Sequence, residues 1–492
     1  MNRKEIFNKL WRAADIMRRD DGTNGINEYI EQISWMFFLK VFDDIEKRFE
    51  YNAKLKDEKY QRIIPKKIRW SEWIEMDTKK IIDYIDSELF PMLGKLSGTP
   101  ERSTIGLIFS EIRRNKMKSP SNLKDVIDII KGIDFNNEDD SHALSIFYEE
   151  LLVKLGKESG IAGEFYTPRP IVKLIVKMVN PQLNSKNKKS TRMLDPFCGS
   201  CGFLIESFKN ILETGKVKTK DVPLLQRSFF HGYEKKSLPY LVGLMNCILH
   251  ELITPNVERR NSLNNNIMTF TSEEKFDYVL TNPPFGGVEN KQIQQNFPIK
   301  HSATELLALQ QVMRRLKING KCGIVVPDGL LSQGLGYGKV KKELLENYNV
   351  HTIISLPPGV FANVTASGQG PKTSLIFFDK SGKTKKIWYY ELEPKGGKRY
   401  SKANPISEVD LVDCYEKWKK KSVSSNSWIY TIDDIVEKEF DLSAQNPNKE
   451  KQIVYEDPNE VLDNIIKSSK KFQTDINELK KILTKITYKT EL

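Results

Sequence analysis

The chain has 492 residues, which at ~100–200 residues per domain predicts two to four folded units. Hydrophobic residues make up 39% and aromatic residues 10%, so the sequence can build real cores and is not that of a disordered chain. Lysine and arginine (77) outnumber aspartate and glutamate (65), and the resulting net charge of +12 suits a polyanionic partner or an anionic surface without specifying either.

The sequence also argues against secretion and membrane insertion. No run of apolar residues reaches the ~20 that a membrane-spanning helix needs, and the first twenty residues are too charged for a secretory signal. The five cysteines are few and odd in number, so a disulfide scaffold is not expected. We therefore expect a cytoplasmic protein with reduced thiols and no membrane partner.

Residues 1–160 carry helical patterns and are predicted to form an α-helical domain. Apolar residues recur at three- and four-residue steps from Phe7 to Met17, and a break at Asp20–Gly25 follows. The next helix, predicted over Glu28–Phe49, is apolar on most of its faces. Such a helix requires burial on several sides, so we expect this domain to pack on the next domain or on another chain.

Residues 161–402 alternate short apolar runs with helical patterns, which predicts an α/β domain with a doubly wound, Rossmann-like parallel sheet. One intervening helix is predicted over Leu306–Leu316, ended by Asn319-Gly320. The predicted strands are 192–194, 229–233, 276–280, 322–326, 350–356 and 374–378.

Residues 403–492 are polar and are predicted to form a C-terminal helical region. Its last apolar residues step by four and three, a spacing that fits either a short coiled-coil seam or a surface helix packed on its own domain. These residues are Phe472, Ile476, Leu479, Leu483 and Ile486.

Two motifs indicate a nucleotide-like ligand at the carboxyl ends of the first two strands. The first is the turn Asp195–Phe203, in which glycines allow a ligand to approach the backbone closely. The second is Gly232-Tyr233-Glu234, whose carboxylate has two oxygens that can accept both hydroxyls of a ribose. Either motif alone is also compatible with an ordinary turn or a solvated strand end.

The motif Asn282-Pro283-Pro284-Phe285 is more specific because it directly follows a predicted strand. Consecutive prolines fix an extended turn, and this turn would present the Asn282 side-chain carbonyl, the Pro283 backbone carbonyl and the Phe285 ring together. Two fixed acceptors can hold both N–H groups of an exocyclic amine and favour a nucleophilic nitrogen. The Phe285 ring can stack on the planar base that carries such an amine.

In this order, the motifs resemble those of N6-adenine DNA methyltransferases, and further matches resemble the modification (M) subunit of type I restriction–modification systems. The further matches are Leu10–Asp15, Phe38–Lys40, Met245-Asn246, Leu249-His250, Leu356–Phe361, Lys372–Ser374, Phe440–Ser443 and Asn446–Asn448. The resemblance spans nearly the whole chain. It implies methyl transfer from S-adenosylmethionine to the N6 of adenine in double-stranded DNA.

The resemblance also implies roles for individual residues. Asn282, Pro283, Pro284 and Phe285 are the expected catalytic set. The expected cofactor-binding residues are Glu164, Phe165, Tyr166, Thr167, Pro168, Arg169, Asp195, Gly199, Ser200, Cys201, Gly202, Glu234 and Asn261. No metal site is expected.

Two positions depart from the family pattern. Cys201 stands where the family usually has glycine, so it carries strain if that position needs a positive φ. Asn261 stands where related sequences often have aspartate, which could lower the affinity for the cofactor.

The resemblance implies partners as well, because the sequence contains no obvious DNA-reading motif of its own. The expected partners are double-stranded DNA, a specificity (S) subunit that chooses the target, a second M subunit and a restriction (R) subunit. Three alternatives remain open at this stage. They are methylation of a protein glutamine amide, a catalytically silent cofactor-binding scaffold, and redox or metal chemistry at Cys198–Cys201.

Overall fold

The structure is a computed structural model of the full chain. It describes residues 3–112, 114–133, 167–183, 190–215, 217–334, 336–362, 371–401, 403–443, 445–448, 462, 466, 468–470 and 472–477. Residues 1–445 form one compact unit and residues 446–492 a second.

The N-terminal part is helical, as predicted, and its longest helix is also its most buried. Helix α2 has sixteen buried side chains between Tyr29 and Glu46, which is the expected consequence of apolar residues on most of its faces. Trp35 packs edge-on against Phe90, and Phe38 packs near Phe109, so one helix organises this part of the core. The helices are α1 (Arg3–Met17), α2 (Ile26–Leu55), α3 (Trp70–Trp73), α4 (Thr78–Tyr84), α5 (Phe90–Gly94), α6 (Pro100–Ile112) and α7 (Pro120–Lys131).

The remainder of the first unit is built on a nine-stranded sheet. Its strands are β1 (Met193–Asp195), β2 (Phe230–Glu234), β3 (Asn256–Arg259), β4 (Phe276–Thr281), β5 (Leu316–Pro327), β6 (Asn349–Leu356), β7 (Thr373–Asp379), β8 (Lys386–Glu391) and β9 (Ser427–Thr431). The helices around it are α8 (Arg169–Val179), α9 (Gly202–Glu213), α10 (Val222–Leu224), α11 (Ser237–Leu249), α12 (Lys291–Gln294), α13 (Thr304–Arg315), α14 (Asp328–Ser332), α15 (Gly336–Asn347), α16 (Val412–Lys420) and α17 (Ile432–Glu437).

The strand order is β3-β2-β1-β4-β5-β7-β6-β8-β9, and the first five strands are parallel. The predicted α/β fold class with a doubly wound sheet is therefore confirmed. The prediction of a wholly parallel sheet is wrong at β7 and β9, which pair antiparallel with their neighbours. Strand β7 lies between β5 and β6 and begins at the edge where β6 ends, so it has to run in the opposite direction.

The predicted helix ending at Asn319-Gly320 is also corrected. Helix α13 ends at Arg315, and the chain enters β5 at the next residue. Asn319 has a φ of 61° and its N–H donates to the Lys380 carbonyl, while the Lys380 N–H donates to the Gly320 carbonyl. The turn signal in the sequence thus marks an irregularity inside a long strand.

The C-terminal stretch, predicted to be helical, contributes more than helices. Strand β9 lies within it and adds an edge strand to the sheet next to β8. In the second unit the described residues between 462 and 477 are helical, and Phe472 is 67% exposed. The predicted seam residues Leu479, Leu483 and Ile486 lie outside the described residues, so the coiled coil stays a prediction.

One hydrophobic core connects the N-terminal helices with the sheet. It runs from Leu10 in α1 through Phe38 in α2 and Ile248 in α11 to Trp388 in β8. Helix α11 is buried over most of its length because it packs against α2 and α6 on one side and against β3 and β2 on the other. The opposite face of the sheet is covered by α13 and α15.

Candidate functional site

A cleft of about 370 Å³ opens at the carboxyl ends of β1, β2 and β4. The chain winds from β1 outward to β2 and β3, and then returns to place β4 on the other side of β1. Ligands of doubly wound sheets bind at such a reversal of strand order. Ten of the predicted site residues line the cleft: Thr167, Arg169, Asp195, Gly199, Ser200, Gly202, Glu234, Asn261, Asn282 and Pro284.

The other predicted residues do not line it. Glu164, Phe165 and Tyr166 lie outside the described residues. Pro168, Cys201, Pro283 and Phe285 are described but are not among the residues that form the wall. Pro168 is the N-cap of α8, where a proline φ suits the start of a helix.

The turn between β1 and α9 is held by backbone hydrogen bonds. The Cys198 N–H donates to the Tyr233 carbonyl over 3.0 Å, and the Cys201 N–H donates to the Cys198 carbonyl over 2.7 Å. Gly199 and Cys201 have φ values of 48° and 63°, so both are left-handed. The strain expected at Cys201 is therefore present, since this conformation disfavours residues with a Cβ.

The cysteine pair itself is buried below the turn. Cys198 is 5% exposed and Cys201 is fully buried. A hydrogen bond with Cys201, together with burial, raises the pKa of the Cys198 thiol well above its ordinary value. Protonated, buried thiols are poor nucleophiles and poor metal ligands. Among the described residues there is also no group of three side chains that could hold a metal ion.

Glu234 ends β2 with its carboxylate at the cleft. The Gly199 N–H donates to Oε2 over 3.1 Å, and the Lys236 N–H donates to Oε1 over 2.7 Å. Each oxygen thus accepts one backbone hydrogen bond and retains a further acceptor position. Burial raises the pKa of Glu234, and the same backbone hydrogen bonds oppose that rise.

Asp195 ends β1 and is 1% exposed. Its Oδ1 accepts hydrogen bonds from the Thr281 hydroxyl over 2.7 Å and from the Phe197 N–H over 3.2 Å. Burial raises the pKa of Asp195 to about 7. The site therefore holds a carboxyl group whose charge changes near neutral pH.

Asn282 follows β4 and is fixed at one end of its amide. Its Nδ2 donates to the Thr167 hydroxyl over 3.0 Å. Its Oδ1 is buried and has no hydrogen-bond partner among the described residues. An unpaired buried carbonyl costs roughly 1–3 kcal/mol, so this oxygen is poised for a donor from a bound molecule.

Phe285, the aromatic member of the motif, contacts a residue of another motif. The ring of Phe285 lies 6.4 Å from that of Phe361, at an interplanar angle of 77°. Phe361 belongs to the motif Leu356–Phe361 after β6, and it is buried. The structure therefore brings two sequence motifs together through their aromatic rings.

Comparisons with known proteins identify the family. The family model "N-6 DNA Methylase" matches residues 139–455, and "HsdM N-terminal domain" matches residues 6–130. The methylase subunit of the type I restriction enzyme EcoEI from Escherichia coli is 33% identical over 466 residues, which is 91% of each chain.

Two solved structures are similar along nearly the whole chain. A modification subunit from Vibrio vulnificus YJ016 is 35% identical with a TM-score of 0.82, over 91% of this chain and 98% of that one. A chain from a study of complex assembly in the type I R–M system is 40% identical with a TM-score of 0.72, over 98% and 99%.

The chain belongs to the methylase subunits of type I restriction enzymes. It is an N6-adenine DNA methyltransferase, and the resemblance found in the sequence is confirmed. This assignment decides against methylation of a protein glutamine amide. No described helix of this methylase subunit is both long and apolar enough to cross a bilayer.

The cleft of the methylase subunit also contains residues that the sequence analysis missed. Lys235 and Lys236 follow Glu234 directly, so their position after a strand could have indicated them. The Arg260 guanidinium lies 4.4 Å from the centre of the Tyr233 ring, and both residues line the cleft. The Thr304 hydroxyl donates to Glu289 Oε1 over 3.0 Å. Since this contact joins residues distant in the sequence, no local sequence pattern could have indicated Thr304 as a site residue.

Asn261, the second departure from the family pattern, has a local role in the methylase subunit. Its Oδ1 accepts the Leu263 N–H over 3.1 Å and caps the short 3₁₀ turn Ser262–Asn264. An aspartate could cap the turn in the same way. The asparagine side chain differs in carrying an N–H donor.

Proposed function

We propose that the cleft binds S-adenosylmethionine and that Asn282 holds the N6 amine of an adenine swung out of the duplex. The observation that carries this proposal is the buried Asn282 Oδ1, which lacks a partner among the described residues and lines the cleft at the reversal of strand order. That oxygen can accept a hydrogen bond from an N–H group, and an exocyclic amine has two N–H groups.

The residues present fit the proposed donor. A volume of about 370 Å³ lies within the range of ~300–1,000 Å³ that is usual for small-molecule sites. Glu234 keeps acceptor positions for the two ribose hydroxyls, and Asp195 would lie near the amino group. We propose that residues 164–169 and the turn 199–202 surround the methionine portion, with Asn261 beside the adenine ring.

S-adenosylmethionine supplies an activated methyl carbon when it is bound. Thr167 fixes the Asn282 amide so that its carbonyl stays directed at the amine. We propose that the Pro283 carbonyl accepts the second N–H, because the two prolines keep the backbone there extended. The protein then contributes mainly geometry, and no strong base is needed because N6 becomes acidic once it is alkylated.

The base has to leave the helical stack to reach Asn282. Extrusion costs a few kcal/mol, and contacts in the pocket repay it. We propose that Phe285 stacks on the extruded base. Its ring lies edge-on to the ring of the buried Phe361. This contact would restrict the orientation of the Phe285 ring.

We also propose that target choice comes from partners. The sequence holds no obvious DNA-reading motif, and one similar structure comes from a study of complex assembly in the type I R–M system. An S subunit would select the sequence, with a second M subunit and an R subunit in the full system. The N-terminal helical domain and the C-terminal region are the proposed docking parts, with domain limits at 1–160, 161–402 and 403–492.

The test is Asn282→Ala in the assembled complex, measured by transfer of a labelled methyl group to a duplex carrying the target site. Loss of this side-chain acceptor for the amine should lower the transfer rate by roughly 100-fold or more. Donor affinity, measured by calorimetry, should change less than threefold. The matched control is Asn347→Ala in α15, where the side chain only caps a helix carbonyl.

The opposite pattern would contradict this role of Asn282. A variant that binds the donor poorly but turns over normally at saturating donor would mean that the residue serves the cofactor and not the base. Absence of donor binding in the wild-type complex would instead indicate a silent scaffold.

A further inference from the structure

A second concave site lies at the opposite edge of the sheet from the methyl-transfer cleft. It is a cavity of about 480 Å³ at the starts of β6 and β8. These two strands are parallel to each other, and both run in the same direction as β4 and β5. Since the cleft lies at the carboxyl ends of the strands, this cavity lies at their amino ends.

Four lysines line this cavity, and we call them the lysine cluster: Lys383, Lys385, Lys386 and Lys421. Lys383 and Lys385 come from the loop before β8, Lys386 is the first residue of β8, and Lys421 follows α16. The cavity wall contains no aspartate or glutamate. None of the four ammonium groups has a carboxylate within ion-pair distance among the residues that the structure describes.

Lys421 is the fixed member of the lysine cluster. Its Nζ donates to the Thr352 hydroxyl over 2.7 Å and lies 5.3 Å and 5.1 Å from the ring centres of Trp388 and Trp418. Lys421 itself has a left-handed φ of 49°. Thr352 is fully buried in β6, so a hydrogen bond, two cation–π contacts and the backbone hold this charge in place.

The neighbouring groups do not cancel the charge of the cluster. Burial lowers the pKa of His351 to about 4, so this ring is neutral at pH 7. Asp379 is a nearby acid that accepts from the Asn349 amide and the Ser381 N–H, both over 3.0 Å, and a single carboxylate offsets at most one of the four lysine charges. Loss of hydration lowers the pKa of Lys421 to about 8. An anion bound in the cavity would raise the pKa again, because it stabilises the charged ammonium group.

We propose that the lysine cluster is a binding site for phosphate groups, separate from the methyl-transfer cleft. Several uncompensated cations around a concavity create a positive potential that concentrates anions. Trp388 is only 2% exposed, so it offers little aromatic surface for a base to stack on, and the lysine charges are the main feature that a ligand meets. Compact ammonium groups on flexible stems suit phosphate oxygens.

Such phosphates could come from a nucleic-acid backbone or from a free oligophosphate, and two probes distinguish these sources. The first is tripolyphosphate, titrated into the full chain by calorimetry. The second is a duplex of about 20 base pairs made only of G·C pairs, so that it offers no adenine to the cleft. Its binding is followed against salt concentration, because each neutralised phosphate contributes ~0.9 to the logarithmic slope.

Two variants of the lysine cluster and one control are compared. Lys421→Met keeps the aliphatic stem, and the triple change K383Q/K385Q/K386Q removes the rim charges. The control K56Q/K79Q/K80Q removes the same charge from exposed lysines of the N-terminal helices. Donor binding at the cleft, measured in every variant, reports that the fold is intact.

The expected result is a loss of at least tenfold in affinity for one of the probes in both variants, with the control unchanged. A loss for tripolyphosphate alone assigns a free oligophosphate. A loss for the duplex, with a salt slope reduced by about one for each removed lysine, assigns the nucleic-acid backbone. Equal affinities in wild type, variants and control for both probes would overturn the proposal.

Discussion

The charge of the Asp195 carboxyl group depends strongly on its surroundings. This carboxyl is almost completely buried, and the groups that donate to it within the described part of the chain are both neutral: the Thr281 hydroxyl and the Phe197 N–H. Burial raises its pKa to about 7, so about half of the molecules carry the charge at neutral pH. A bound ammonium group would favour the charged form.

The affinity for S-adenosylmethionine should therefore depend on pH through Asp195. Below pH 7 the carboxyl is protonated and cannot pair with an ammonium, so affinity should fall by up to about tenfold per pH unit. Calorimetric titrations between pH 6 and 8 measure this, and Asp195→Asn should be weaker at pH 8 with a flatter profile. The exposed Asp128→Asn is the control, and an unchanged profile in Asp195→Asn would contradict the assignment.

The same carboxyl has the opposite effect on stability without a ligand. Its pKa is raised in the folded state, so its stabilising contribution is complete below pH 3.8 and is lost as pH rises through about 7. Above that range the folded protein holds a buried charge that the Thr281 and Phe197 hydrogen bonds offset only in part, and a bound ammonium group would compensate it further.

Thr167 provides the second test at the level of single residues. Its hydroxyl accepts the Asn282 amide, so Thr167→Val should let that amide rotate and lower the rate of methyl transfer about tenfold. The donor affinity should stay within threefold. Thr167→Ser keeps the hydroxyl and should retain activity, and equal rates in the Val and Ser variants would remove Thr167 from the positioning of Asn282.

At the residue scale, sequence reasoning found the polar groups better than it found the aromatic one. Asp195, Glu234 and Asn282 follow strands, and the carboxyl ends of parallel strands converge, so their meeting could be predicted. Phe285 follows Asn282 by only three residues, but its ring is directed by contact with Phe361, 76 positions later. No local pattern encodes such a contact.

Among the elements, the turn before α9 depends on a glycine in a different helix. A Cβ on Gly243 of α11 would lie 2.7 Å from the Gly199 carbonyl oxygen and 2.8 Å from Cys201 Sγ. The helix can approach the turn only because this side chain is missing. Gly243 thus helps to shape the cleft without lining it.

Gly243→Ala should destabilise the protein by about 1–3 kcal/mol and weaken donor binding, because either the turn or the helix has to shift. Chemical unfolding and calorimetry measure the two effects. The matched control is Gly338→Ala in α15, where an added Cβ meets nothing within 4 Å. That control should be neutral or stabilising by up to ~1 kcal/mol. Equal effects of the two changes would contradict the close approach.

Strands β3, β8 and β9 were not predicted from the sequence. Strands β8 and β9 contain apolar runs at 387–390 and 428–430 that were not assigned to strands, whereas β3 has no such run. β3 reads Asn-Val-Glu-Arg and has one buried residue, so it carries no apolar signal. The antiparallel direction of β7 was also missed, because six of its seven residues are buried and direction leaves no trace in such a run. The presence of β3 and the direction of β7 are both set by the strands with which they pair, and neither can be read from the composition of the strand itself.

For the whole molecule, the shared core predicts cooperative behaviour. Residues of α1, α2, α11 and the sheet belong to one cluster, and the ion pairs Arg48–Glu251 and Arg259–Glu111 also join the two parts. The first unit, residues 1–445, should therefore unfold in one transition that donor binding shifts upward.

Differential scanning calorimetry with and without S-adenosylmethionine measures this. Phe38→Ala, in the N-terminal core, should lower the free energy of unfolding by about 3–5 kcal/mol and move the same transition. The exposed Tyr51→Ala of the same helix is the control and should change little. Two separate transitions, with only the later one responding to the donor, would contradict a shared core.

The long separation between α2 and α11 has a consequence for synthesis. About 180 residues lie between the end of one helix and the start of the other. At roughly 5–20 residues per second, a ribosome needs about 10 to 40 s to deliver the second helix after the first. During that interval the apolar surface of α2 that later contacts α11 is not covered by that helix. We therefore expect chaperones to bind the nascent chain until α11 has been synthesised.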